Sequence, residues 1–527
     1  MKLKNILIYG LISIFILSSN SCAEKYLDIF PEDKITSAIF PKNEDDARIL
    51  LNGIYADLRE KRIHLEGLFG FGIVDGATPN AYAWGNNPIA LAGNGRLSPT
   101  DGKNLTFRWT RCYSIIYRAN YFLNAIENLD IPEDVKSIYT GEAHFLRGLA
   151  YSKLVGWYGG VPIITSVITT EEARKIGRAS AEETWEQAVS DYNVAIENLG
   201  VNAPEVGRAT KGAALGMKMR AYLYQNKYEE VLNVVEQIEA LGKYSLFPSY
   251  EGLFQLENEN NQEVLFDVQY MRGENDQGSF LDQFCGTGTG SQTRGSRYVP
   301  TDNLVDAYER IDGSDIKYSD YEVDLDDPYE GWDPRLKFTV VVPGAYILGY
   351  RFPTYLYAGG AYNHPGNRLK HLATRKYFIE PMADLPPSGQ SDANYIVLRY
   401  ADVILSKAEA IIETGGDVNE AIALINKIRT ERNDVQLTSL PNGLSRDEAR
   451  LKLRHERRIE FAMEGLYWMD IKRWDIGKDI YPLQIRDHNG NIIETKFPDG
   501  YLEHYDLWPI PESERSLNEN LEQNPGW

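Results

Sequence analysis

The chain has 527 residues, with 55 basic against 76 acidic side chains, a net charge of −21 at pH 7. That balance excludes non-specific binding to nucleic acid, which needs clustered Lys and Arg against phosphate, and charge-driven adhesion to an anionic membrane. Three cysteines exclude a disulfide scaffold and a cysteine-rich zinc module, and a chain this long can bury a sizeable core without such staples. Tyr outnumbers Phe by 34 to 18, a bias toward half-wet surfaces over a dry core.

At the N-terminus Lys2 and Lys4 precede an apolar run from Ile6 to Leu17, then small polar residues from Ser18 to Ser21, then Cys22. The run is shorter than the about 20 apolar residues a membrane span needs. The pattern predicts a signal peptide over residues 1–21. With Cys22 at the cut it resembles a bacterial lipoprotein signal, in which that thiol is acylated and becomes the new N-terminus. Ser19 stands three residues before Cys22, where such signals usually place a Leu-like residue; an ordinary cleaved signal with an incidental cysteine is the alternative. The body is expected to be soluble and tethered to a membrane through Cys22.

From Glu44 to Arg59, the apolar positions Ala47, Leu50, Leu51, Ile54 and Leu58 recur at helical spacing. Gly67 to Lys103 has no period and crowds Gly, Asn, Pro and aromatics together, which predicts a long surface loop. Helical patterns follow over Trp109–Leu129, Val135–Trp157, Ala181–Leu199, Lys211–Gln225 and Tyr228–Leu241, paired in the manner of tetratricopeptide repeats without a strict period. Asn258 to Asn394 is poor in helix signals and rich in Gly, Pro, Asp and Tyr, with β-like pieces such as Phe338–Val342: an irregular excursion on a helical frame. Helix signals return with Tyr400 to Ile412, stopped by Gly415-Gly416. Asp417 with Glu420 and Ser445 with Glu448 predict capping boxes for two further helices, the last running to about Glu464. The expected organisation is a helical region over 22–257 and a second region over 258–527, which holds the excursion 258–394 and a helical end.

Several motifs, in order, are similar to one family. They are Gly141-Glu142-Ala143 with Phe145-Leu146-Arg147, Tyr158-Gly159-Gly160-Val161-Pro162, Asp333-Pro334-Arg335, and Arg399-Tyr400-Ala401-Asp402-Val403 through Ala408-Glu409-Ala410. Then come Glu456-Arg457-Arg458-Ile459-Glu460-Phe461-Ala462, Glu464-Gly465, Asp470-Ile471-Lys472-Arg473-Trp474, Leu507-Trp508-Pro509-Ile510-Pro511 and the close Gln523-Asn524-Pro525-Gly526-Trp527. Over essentially its whole length the chain resembles the SusD/RagB outer-membrane lipoproteins of the Bacteroidetes. The resemblance implies a mostly α fold, with a tetratricopeptide-like frame and an irregular region carrying the ligand surface. It also implies a surface lipoprotein that captures a nutrient, usually a glycan, and delivers it to a TonB-dependent barrel of the SusC type.

No enzyme constellation stands out. The seven His form no His-Glu-x-x-His pair, there is no Gly-x-Ser-x-Gly elbow, and Gly286-Thr287-Gly288-Thr289-Gly290 lacks the Gly-Lys-Ser/Thr of a phosphate loop. No catalytic residue, cofactor or resident metal is expected. The acidic run Asp324, Asp326, Asp327, Glu330 and Asp333 has oxygen ligands for Ca²⁺, but Pro328 interrupts calcium-loop spacing, so it reads as a solvated loop. Glu456 and Glu460, one turn apart, are expected to pair with neighbouring helices and not to share one partner.

Sugar recognition asks for an aromatic face against the C–H face of a pyranose, and for planar donors and acceptors around its hydroxyl rim. The early loop combines both kinds in Asp75, Asn80, Tyr82, Trp84, Asn86 and Asn87. The resemblance, whose glycan sites draw on this loop and on the middle region, adds Arg297, Tyr298, Tyr350 and Arg351. The expected function is therefore glycan capture at the cell surface. The alternatives are a peptide-binding RagB-like receptor, a glycan-cleaving enzyme and a pure protein-interaction scaffold.

Overall fold

A computed structural model describes residues 41–59, 70–83, 88–101, 103–273, 277–281, 298–315, 317, 327–347, 350–352, 372–378, 390–486 and 490–527. The predicted signal peptide and Cys22 lie outside these residues, as do Trp84, Asn86, Asn87, Arg297, Asp324, Asp326 and Cys285.

The longer helices are α1 (Glu44–Ala56), α2 (Lys103–Glu127), α3 (Glu133–Tyr158), α4 (Ala181–Asn198), α5 (Lys211–Tyr224) and α6 (Tyr228–Ala240). After the excursion come α7 (Tyr400–Glu413), α8 (Val418–Thr430), α9 (Arg446–Glu460) and α10 (Tyr467–Arg473). Each forms where its apolar stripe finds a partner. Ala47, Leu51 and Ile54 bury one side of α1, while Val231, Val234, Val235 and Ile238 do so on α6. From α2 to α9 each helix packs on the next, α6 on α7 included, while α10 packs on α5. The row of helices is thus continuous in space although about 160 residues separate α6 from α7 in the chain.

The ends are set by local chemistry. Ser180 and Ser445 form reciprocal capping boxes with Glu183 and Glu448 at the starts of α4 and α9. Asp417 caps α8 by accepting from the Asn419 amide at 2.9 Å, one residue earlier than a capping box requires, so the predicted partnership with Glu420 does not form. Gly415, at φ +87°, ends α7 in the left-handed region that a side chain rarely adopts. Gly160 is required by contact: a Cβ there would meet the Ala179 carbonyl oxygen at 2.0 Å.

At the root of the excursion, strand Val264–Val268 pairs antiparallel with Tyr395–Arg399. This zips its outgoing and returning ends together and leaves the loops between as a mounted unit. Further short pairs lie within it, Val340–Val341 with Ala373–Thr374 and Tyr346–Ile347 with Tyr350–Arg351. A C-terminal hairpin pairs Leu483–Arg486 with Ile492–Lys496. The extended Pro-Ile-Pro close is pinned to α3: the Trp508 amide donates to the Trp157 carbonyl at 2.7 Å, and Asn524 donates to the carbonyls of Trp508 and Tyr158.

Buried charge ties the halves together. Arg335, fully buried, donates to Asp333, to Glu456 at 2.5 Å and to Glu460 at 3.0 Å. Glu456 and Glu460 therefore do share one partner, contrary to the expectation from their spacing, because a single guanidinium nitrogen, Nη1 of Arg335, carries two N–H groups and lies between the two carboxylates. Arg399 reaches Glu263, Glu460 and Glu464, while Arg432 pairs with Glu263 and Glu460. A second web joins Arg220, Asp402, Arg457, Asp470, Arg473 and Glu409 across α5, α7, α9 and α10. These pairs hold the carboxyls of Glu460, Asp402 and Glu409 below the usual range even though burial pushes each upward.

Candidate functional site

The early loop is more ordered and more buried than its composition predicts. Gly70–Ala77 forms a 3₁₀ helix, Ala81–Ala83 a short strand and Pro88–Gly93 a helix. Val74 through Ala81 are buried. The strand pairs antiparallel with Tyr298–Pro300, in the register Ala81 to Pro300, Tyr82 to Val299 and Ala83 to Tyr298. Thr301 fastens the join, its amide donating to the Asn80 carbonyl at 3.1 Å and its hydroxyl to the Pro79 carbonyl. The two stretches that the sequence offers as ligand-facing, one before α2 and one in the excursion, are thereby joined by a backbone ladder. Strand Tyr298–Pro300 in turn packs beside Ala373–Thr374, the partner of Val340–Val341.

Within this cluster the candidates separate. Asp75 and Asn80 are wholly buried, where the composition predicts a surface loop. The Asp75 carboxylate accepts from the Gly465 amide at 3.4 Å, and Asn80 accepts from Arg458 of α9 at 2.8 Å. Both tie the loop to the C-terminal half. Burial pushes the Asp75 carboxyl up to about 7. Tyr82 is half-buried, and its hydroxyl donates to the Glu494 carboxylate on the C-terminal hairpin. Burial first, and then that carboxylate, raise the tyrosine's pKa. Tyr298 belongs to the paired strand and Tyr350 to the hairpin strand with Arg351.

Arg351 is part-exposed and donates to the Gly344 carbonyl at 3.3 Å. Its register partner is Tyr346, an exposed aromatic at 68 % accessibility that sequence reasoning passed over. Residues directly opposite in an antiparallel pair share a face, so a tyrosine ring and a guanidinium sit together on this hairpin. Their signal in the sequence is only the alternation Ala345-Tyr346-Ile347, too short to single out. Tyr346 joins Tyr82 and Arg351 as a site candidate.

The described part of the acidic run offers no calcium cage. Asp327 and Glu330 are exposed, whereas Asp333 caps helix Pro334–Thr339 and is consumed by Arg335. Among the described residues no group of three His, Cys, Asp or Glu side chains is arranged to hold a metal, and no helix is long and apolar enough to cross a membrane. Cys112 is a free, buried thiol on α2, pushed up to about 12 by burial.

A continuous row of paired helices that carries an irregular excursion defines a helical-repeat scaffold, in which rigid helices position the loops. The chain belongs to the SusD family, whose profile matches residues 262–527; a second profile, described as starch-binding associating with outer membrane, matches residues 27–223. It is 28% identical to the SusD-like protein P38 of Formosa agariphila, over 99% of both chains. It is 23% identical to the starch-binding protein SusD of Bacteroides thetaiotaomicron, over 78% of this chain and 76% of that one. A crystal structure of a SusD-like carbohydrate binding protein from Bacteroides fragilis superposes with a TM-score of 0.81 at 26% identity, covering 91% of this chain and 99% of the other.

Proposed function

We propose that this protein is a non-enzymatic, lipid-anchored receptor that captures oligosaccharide or polysaccharide at the cell surface and passes it to a SusC-like TonB-dependent transporter. The observation that carries the glycan reading is the pairing of Ala81–Ala83 with Tyr298–Pro300, which joins the early aromatic loop to the excursion in a family with starch- and carbohydrate-binding relatives. A stacking aromatic beside planar amides and guanidinium groups suits a sugar's apolar face and hydroxyl rim. A tethered binder cannot carry a polar oligomer across a bilayer by itself. A wide barrel supplies the route, with the helical frame as its docking face.

Incubation with a panel of fluorescently labelled oligosaccharides tests the binding reading: retention without turnover is expected, and turnover identifies an enzyme instead. Trp84→Ala is expected to weaken retention about tenfold or more, since one aromatic stack contributes roughly 1–3 kcal/mol by analogy with base stacking. The melting temperature of that variant should stay nearly unchanged; a large drop identifies Trp84 as local core. Acyl chains contribute about 0.8 kcal/mol per buried CH₂, and the net charge of −21 offers no electrostatic substitute. Cys22→Ala should therefore release the protein from the membrane fraction, and retention there sinks the anchor. Extraction in mild detergent is expected to bring a SusC-type barrel along with the tagged protein.

A further inference from the structure

Lys496, at the end of the C-terminal hairpin, is 1 % exposed. Its ammonium donates to three backbone carbonyls of the early loop: Gly76 at 2.6 Å, Thr78 at 2.6 Å and Ala81 at 2.7 Å. An ammonium has three N–H donors, so the match with three carbonyls is complete only in the charged form. The same hairpin presents Glu494 to the Tyr82 hydroxyl, and Tyr481, just before it, donates to the Ala77 carbonyl at 3.1 Å. The hairpin and the residue before it thus hold the loop at five points between Gly76 and Tyr82.

We propose that Lys496 is a positioning residue of the ligand-side loop, its ammonium clamping the carbonyls of Gly76, Thr78 and Ala81 so that the strand bearing Tyr82 is held against Tyr298–Pro300. The functional part of this assignment rests on the glycan-capture reading; the clamp itself does not. Burial pulls the Lys496 ammonium down to about 7, while the carboxylates of Glu494 on its own strand and Asp75 in the loop act in the opposite direction. Loss of one proton leaves two N–H groups for three carbonyls, so the clamp also weakens as pH rises through about 7.

Amide hydrogen exchange on the unliganded protein tests the clamp. In Lys496→Met, exchange over residues 76–83 should accelerate at least tenfold while residues 139–155 of α3 keep their protection. Unchanged exchange over 76–83 overturns the proposal. Wild-type protein supplies a second measurement that needs no variant. Between pH 6 and pH 9 the exchange over 76–83, corrected for the intrinsic base-catalysed rate, should rise relative to α3, and a constant ratio counts against the clamp. In affinity gels containing soluble starch or laminarin, Lys496→Met should lose at least tenfold in retention with α3 still protected. A wild type that neither polysaccharide retards counts against those glycans as ligands, while the exchange data still decide the clamp.

Discussion

Glu460→Ala should destabilise the fold by about 3–5 kcal/mol, the cost expected when one member of a buried ion network is removed and its partners are left charged. Glu460 accepts from Arg399 at 2.6 Å and from Arg335 at 3.0 Å, and Arg432 lies 2.9 Å away. All three guanidinium groups are buried, and none can shed its charge by deprotonation. Each then relies on a neighbour already engaged: Arg335 on Asp333 and Glu456, Arg399 on Glu464, Arg432 on Glu263. The loss should therefore exceed that of one ordinary hydrogen bond, which contributes about 0.5–1.5 kcal/mol. Urea unfolding of the variant beside Glu420→Ala, an exposed first-turn position of α8, measures the difference. A loss below about 1 kcal/mol for Glu460→Ala shows that the network is not cooperative. The desolvation cost of so many charges means that a well-packed apolar replacement of the whole web need not be less stable. Its role is better described as fixing how the excursion root, Glu263 and Arg399, meets α9.

How far these features were legible depends on how local their causes are. The pattern over Lys211–Gln225 predicts a helix that the structure ends one residue earlier, because a buried stripe repeats within each turn and needs no distant partner to be seen. The strands Val264–Val268 and Tyr395–Arg399 escaped notice for the opposite reason. The second is buried at all five positions, and a strand covered on both faces shows no period of two. That Glu456 and Glu460 form ion pairs was legible, but their partners were not, because Arg335 and Glu456 stand 121 residues apart and the sharing of one guanidinium depends on geometry that spacing does not encode. Asp75 and Asn80 look solvent-facing in a stretch of Gly, Pro and Asn. Their partners, Arg458 for Asn80 and the Gly465 amide for Asp75, stand nearly 400 residues further along the chain. Tyr82 is half-buried on the loop strand, and the carboxylate its hydroxyl meets lies on the C-terminal hairpin, a partner that no local pattern announces.

Asp75→Asn should change the pH dependence of stability more than its value at any single pH. In the fold, burial raises the Asp75 carboxyl from 3.8 to about 7, with the amides of Gly465 and Met463 opposing the rise. A folded-state pKa above the unfolded one means that the native chain holds the proton more tightly, so its stabilising effect is complete below 3.8 and is lost as pH rises through about 7. Each pH step of one across which only the folded chain keeps this proton costs about 1.4 kcal/mol, so between pH 5 and pH 8 the group should withdraw roughly 2–3 kcal/mol from the wild type. Asparagine does not titrate, so the variant lacks this component. Relative to wild type it should gain that amount at pH 8, whatever its deficit at pH 5. Asp267, raised by burial to about 6, and Glu259, raised by burial to about 7, slope the same way in both proteins and cancel in the difference. Denaturant unfolding at the two pH values measures the gap, and parallel profiles for the two proteins show that Asp75 is already ionised in the fold at pH 5. The negative charge that Asp75 gains at neutral pH also faces Lys496 across the loop, where it favours the ammonium. The carboxyl that resists ionisation and the ammonium that resists staying charged therefore support each other, and removing the first should lower the pH at which the loop loosens.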